Sequence, residues 1–100
     1  MRAEEAVLVV EYWSEDGVET EVFGFPSAST REECTAKAAR LFWQDVRTER
    51  EESVIGIDND KTTWDSEEGY GEICYRNGDK TVYDISFVSN IDDVLTKRKQ

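Results

Sequence analysis

Ala6 to Val10 form an unbroken apolar run between Glu5 and Glu11, and Tyr12 and Trp13 prolong it with β-favouring side chains. This pattern predicts a well-buried first strand. Ser14-Glu15-Asp16-Gly17 follows, and Asp-Gly between two apolar runs is a hairpin signal because both residues tolerate positive φ. The second strand is then Val18 to Phe25. With Asp16 and Gly17 as the loop, Trp13 faces Thr20, Glu11 faces Val22, Val10 faces Phe23 and Leu8 faces Phe25. Alternation places Leu8, Val10, Tyr12, Phe23 and Phe25 on one face. Val7, Val9, Trp13 and Val22 share the other with Glu11 and Thr20. The first face is the candidate core.

Pro26 ends that strand, and Thr30 with Glu33 three residues later forms a capping-box pattern, so a helix is expected from Arg31 to about Arg50. Cys34, Ala38, Leu41, Phe42 and Val46 recur at helical spacing and mark its buried stripe. Val54, Ile55 and Ile57 predict a short third strand, followed by the polar turn Asp58-Asn59-Asp60-Lys61. Asp65 to Gly71, acidic and glycine-containing, reads as a surface loop.

Ile73 to Tyr75 and Thr81 to Val88 flank Asn77-Gly78, a second hairpin signal with two available registers. A three-residue loop of Arg76, Asn77 and Gly78, with Gly78 left-handed, groups Ile73 and Tyr75 with Thr81, Tyr83 and Ile85. It is preferred because it gives one apolar face. Asn90 to Lys99 reads as a short helix with aspartates near its start and basic residues near its end. The expected fold is α+β: a single acidic domain over residues 1–100, order β-β-α-β-β-β-α. Its antiparallel sheet carries the long helix on one face.

Composition narrows the function classes. Acidic residues outnumber basic ones 23 to 12, a net charge of −11. Such a field repels nucleic acid and anionic membrane and steers basic partners inward. It exceeds what solubility needs, roughly 2 to 8 charges for a small domain. Three Trp, four Tyr and four Phe separate the chain from disordered acidic sequences. No apolar run approaches a membrane span and the first residues lack signal-peptide character, so cytoplasmic residence is expected. Cys34 and Cys74 then read as free thiols.

The chain has no histidine, which removes the commonest general base and most zinc ligand sets. No Gly-rich phosphate loop is present, and no catalytic residue, cofactor or metal is expected. Asp58-Asn59-Asp60-Lys61-Thr62 resembles the start of an EF-hand loop, but Thr63 replaces the required glycine and Glu68 falls one position early. An Asp/Asn-rich turn accounts for the same residues.

Charge is concentrated between Asp45 and Glu72. Ten acidic residues, Asp45, Glu49, Glu51, Glu52, Asp58, Asp60, Asp65, Glu67, Glu68 and Glu72, stand against Arg47, Arg50 and Lys61. Trp64 and Tyr70 bracket the acidic stretch and join it as candidate partner contacts, since interface hot spots favour Trp and Tyr. Trp43 and Trp13 are assigned instead to the core, one finishing the helix's apolar face and the other closing the first hairpin.

The leading expectation is a non-enzymatic protein-binding inhibitor whose acidic surface occupies a basic, nucleic-acid-binding site on a protein or nucleoprotein complex. Small anti-restriction and anti-CRISPR proteins of phages resemble the chain in size and charge alone. An immunity protein against a basic toxin such as a nuclease, and a generic acidic interaction domain, are the alternatives. No direct nucleic-acid or membrane contact is expected, and an open strand edge would allow a homodimer.

Overall fold

A computed structural model describes residues 5–25 and 30–88. The first apolar run forms strand β1 (Glu5–Ser14), and β2 (Gly17–Gly24) returns antiparallel to it. The hairpin turns one residue earlier than expected, with a loop of the same length. Ser14 pairs with Gly17, leaving Glu15 and Asp16 as the loop, so Leu8 faces Phe23, Val10 faces Glu21 and Trp13 faces Val18. Gly17 uses its positive φ of 130° one position beyond the turn, and the Ser14 hydroxyl accepts the Asp16 N–H at 3.3 Å. The register differs from expectation by two residues, which keeps every side chain on its expected face.

Helix α1 (Arg31–Glu52) begins at the capping box. Thr30 Oγ1 accepts the Glu33 N–H at 3.1 Å, and Glu33 Oε1 accepts the Thr30 N–H at 3.0 Å. The Thr30 N–H, and after it the Thr30 hydroxyl, hold the Glu33 carboxyl below its usual range. Cys34, Ala38, Phe42 and Val46, four residues apart, make the buried row, and Leu41 packs partly against it.

The third strand is not where the apolar residues Val54 to Ile57 placed it. Past the helix end, the Ser53 hydroxyl accepts the Gly56 N–H at 3.2 Å, and Gly56 takes φ +88°, which breaks an extended path. Only Ile57 reaches the sheet, in an isolated bridge to Tyr75, while Val54 is fully exposed. The strand β3 is Thr63–Asp65 instead. Asp65 to Gly71 is correspondingly not a loop but a tight hairpin into β4 (Tyr70–Cys74). Asp65 Oδ1 accepts the Glu67 and Glu68 N–H groups at 2.9 and 3.2 Å, so acidic residues supply the turn chemistry.

Strand β5 (Lys80–Val88) follows the expected three-residue loop. Gly78 has φ +96°, Tyr75 donates its N–H to Asp79 at 2.9 Å, and Ile73 pairs with Thr81. Ile73, Tyr75, Thr81, Tyr83 and Ile85 are all buried. The five strands form one antiparallel sheet in the order β2-β1-β5-β4-β3, a small α+β fold with one main helix among the described residues. The helix expected from Asn90 to Lys99 lies outside them.

The core lies between α1 and one sheet face, where Leu8, Ile73, Tyr83 and Ile85 meet the helical row. Phe42 is its centre, with the rings of Trp64 and Tyr83 each 5.2 Å away. Trp64 lies flat over Gly71, where an added Cβ would stand 2.5 Å from Trp64 Cε3. The other two tryptophans depart from their expected core positions. Trp43, one residue off the buried row, is 48% exposed and touches Phe42 edge-on, and Trp13 is 43% exposed on the opposite sheet face. No helix among the described residues is long and apolar enough to cross a membrane.

Candidate functional site

Beside the buried row of α1 runs a second row at the same spacing, Leu41, Asp45 and Glu49. It borders two recesses between the helix and the sheet. One, of about 460 Å³, is lined by Tyr12, Asp45, Glu49, Ser53, Ile55, Tyr75, Thr81 and Tyr83. The other, of about 510 Å³, is lined by Val10, Tyr12, Glu19, Glu21, Phe23, Leu41 and Asp45. Tyr12 and Asp45 belong to both, so the two recesses adjoin along one groove.

Strand pairing explains how β2 shapes the second recess. Glu21 stands opposite Val10, Glu19 opposite Tyr12 and Phe23 opposite Leu8, so all three point to the helix side of the sheet. The helix does not reach them. Every residue of β2 is exposed, and the strand projects beyond the helix as an uncovered wing.

Two phenols of the first recess are committed to carboxylate acceptors, and the third pairs with a hydroxyl. Tyr83 donates to Asp45 Oδ2 at 2.6 Å, Tyr12 donates to Asp79 Oδ2 at 2.8 Å, and the Tyr75 and Thr81 hydroxyls lie 3.1 Å apart. Tyr12 and Tyr75 meet edge to face at 6.1 Å. The Asp79 hydrogen bond, with burial second, pushes the Tyr12 phenol up to about 12. Burial and then Asp45 push Tyr83 well above its usual range, and burial raises Tyr75 despite its bond to Thr81. The negative charge of Glu49 adds to all three upward shifts. Among the described residues, no Lys or Arg lines either recess.

The acidic stretch singled out from the sequence is divided in space. Asp45 and Glu49 join the recess, and Glu51 and Glu52 extend from the exposed helix end. Asp58 and Asp60 form a turn in which Asp58 Oδ1 accepts the Asp60 N–H at 3.1 Å. Asp65, Glu67 and Glu68 form the β3–β4 turn, and Trp64 packs into the core beside Phe42. Tyr70 and Glu72 lie on the opposite face of the sheet. There the Tyr70 hydroxyl donates to Glu72 Oε2 at 2.6 Å, which with burial raises the phenol to about 12. Glu72 also meets Lys80 at 3.7 Å. On the same face, burial and then Glu11 raise the Asp84 carboxyl.

Glu19, Glu21, Tyr12, Tyr75 and Tyr83 were not sequence candidates. A signal existed: Glu19 and Glu21 share strand parity with Phe23, on the face assigned to the core. Carboxylates on a core face mark a place where the core is open. Cys34 and Cys74 are free thiols, one buried in α1 and the other partly covered on β4. No group of three or more Cys, Asp or Glu among the described residues is arranged to hold a metal ion.

No protein-family model, curated protein or solved structure matches the chain.

Proposed function

We propose that this protein is a non-enzymatic binding module that uses carboxylate-rich surface to occupy a basic site on a partner protein, inhibiting that partner where the site is one that binds nucleic acid. The observation that carries this reading is the groove between α1 and the β1–β2 hairpin. Glu19, Glu21, Asp45 and Glu49 border it together with Val10, Phe23 and Leu41, and among the described residues no cationic side chain lines it. Repulsion among those carboxylates opposes folding, and no cation among the described lining residues relieves it. A cationic partner surface would relieve it on binding.

Two further features support the reading. The exposed apolar residues Phe23 and Ile55 border the groove, so a partner would meet buried-core chemistry as well as charge. The chain's net charge of −11 would accelerate encounter with a basic surface and make it salt-sensitive.

The test is capture of partners on the immobilised protein at low and high salt. The expected result is a protein with a basic nucleic-acid-binding surface, released near about 0.5 M salt and competed by nucleic acid. A Glu19→Lys, Glu21→Lys variant that retains the fold should lose it. Undiminished capture by that variant would refute the groove as the contact surface.

A further inference from the structure

We propose that the pocket walled by Tyr12, Tyr75, Tyr83, Asp45 and Glu49 receives an arginine side chain of the partner. This assignment rests on the protein-binding reading and adds to it the chemistry of a single anchor.

The pocket's walls select the charge. The Tyr12 and Tyr83 hydroxyl protons already serve Asp79 and Asp45, and the Tyr75 hydroxyl lies against Thr81. What remains is acceptor capacity, ring surface and the one spare proton of the Tyr75–Thr81 pair, which lies beside Glu49. A carboxylate offers about four lone-pair sites, and Tyr83 fills one on Asp45. The faces of phenol rings attract cations as well. An anionic guest would be repelled by the carboxylates, and a purely apolar one would pack on the rings but leave those acceptors desolvated and unpaired.

The helix points the same way. Asp45 and Glu49 are like charges at i,i+4, and Glu49 stands in the last turn of α1, where the backbone dipole also disfavours an acidic group. Glu49 lines the same recess as the Tyr12, Tyr75 and Tyr83 phenols, and its charge bears on all three. Phe42 and Val46 provide the buried contact of α1 with the sheet, Tyr83 engages one oxygen of Asp45, and the charges of Asp45 and Glu49 have no cation beside them among the described lining residues. A guest cation would be stabilised by both of them.

Size and shape favour arginine over lysine. A guanidinium is planar, weakly hydrated and able to stack on aromatic rings while donating to carboxylates, whereas an ammonium is a compact, strongly hydrated point charge. The pocket's volume of about 460 Å³ admits a long side chain and its stem. The adjoining recess presents Val10, Leu41 and Phe23 to whatever apolar residue stands beside that arginine.

The probe is the capped tripeptide Leu-Arg-Leu, titrated into the full chain with ring-labelled tyrosines observed by NMR. Lysine and citrulline versions serve as comparisons, and because the protein is the same in every titration, no variant needs to fold. Saturable shifts are expected at Tyr12, Tyr75 and Tyr83. Tyr70, on the opposite sheet face, should stay still. Citrulline should bind about tenfold more weakly, the loss expected when charged hydrogen bonds become neutral. Lysine should fall between the two.

Equal binding of the citrulline peptide, shifts shared by Tyr70, or no saturable shift would each overturn the arginine assignment. These failures are distinct from failure of the protein-binding reading. Salt-sensitive partner capture that persists without arginine-peptide binding would leave that reading standing and remove this pocket from it. Arginine-peptide binding without capture of any basic protein would support the pocket and refute the broader surface reading.

Discussion

The two ends of the helix–sheet interface use similar residues to opposite effect. Around Phe42, aromatic rings close over one another: Trp64 and Tyr83 each lie 5.2 Å away, and Gly71 is the only residue small enough beneath them. Around Tyr12, tyrosines and the same helix leave a recess of about 460 Å³. The difference lies in the helical row facing each region. Phe42 and Val46 fill space, whereas Asp45 and Glu49 hold it open because charged groups resist dry packing. Tyr83 belongs to both ends, with its ring against Phe42 and its hydroxyl on Asp45.

The strongest way to break this contrast is to empty the closed end. Phe42→Ala should cost about 3–5 kcal/mol, measured by urea unfolding, because Phe42 is wholly buried and its loss leaves a cavity under two rings. Overfilling the same region should cost less. A Cβ at Gly71 would meet Trp64 Cε3 at 2.5 Å and Phe42 Cε1 at 2.9 Å, so Gly71→Ala should lose about 1–3 kcal/mol. A melting temperature equal to the parent's would show that the tight packing is illusory.

Titration addresses the open end. Phenols raised in the folded state retain protons that the unfolded chain releases from about pH 10, so their contribution is intact below pH 10. It should fall as pH rises through about 12, where Tyr12 and Tyr70 ionise in the folded protein. Urea midpoints measured from pH 9 to 12 should decline, and Tyr12→Phe should flatten that decline. A Tyr12→Phe profile parallel to the parent's would contradict the Asp79 contact.

Smaller effects are expected where charge or exposure dominates. Glu49→Gln removes one member of an i,i+4 repulsive pair and should stabilise the free protein by about 0.2–0.5 kcal/mol at low salt. The gain should shrink as salt is added. Val22→Thr, on the exposed wing, should change stability by less than about 0.5 kcal/mol in thermal melts. A larger loss would mean that β2 contributes more to the fold than its exposure implies.

Local chemistry was readable wherever it acted within a few residues. Thr30 with Glu33 marked the helix start, and Asn77-Gly78 with the alternation of Ile73, Tyr75, Thr81, Tyr83 and Ile85 selected the right loop. The first hairpin kept its faces although its register differed, since parity survives a two-residue slip. Val54 and Ile55 misled because apolar character was read as burial, whereas the Gly56 conformation decided their path.

The candidate site was legible only in part. Asp45 and Glu49 stood out through charge, but their neighbours Tyr12, Tyr75 and Tyr83 come from β1, the end of β4 and β5, and only the sheet order β2-β1-β5-β4-β3 brings them together. Likewise, no property of the stretch from Asp65 to Glu72 reveals that Trp64 turns inward while Tyr70 turns outward. That division follows from strand alternation once β3 and β4 are correctly placed.

The wing made by β2 separates two demands that usually compete for the same residues. It is held by backbone pairing to β1 along one edge, and its side chains are exposed on both faces. Substitutions from Val18 to Phe23 can therefore alter the chemistry of this surface with little penalty in folding, because the core loses no packing when they change. If β2 meets a partner as proposed, a lineage could rewrite those positions letter by letter while inheriting Gly17, the helix and the inner strands intact.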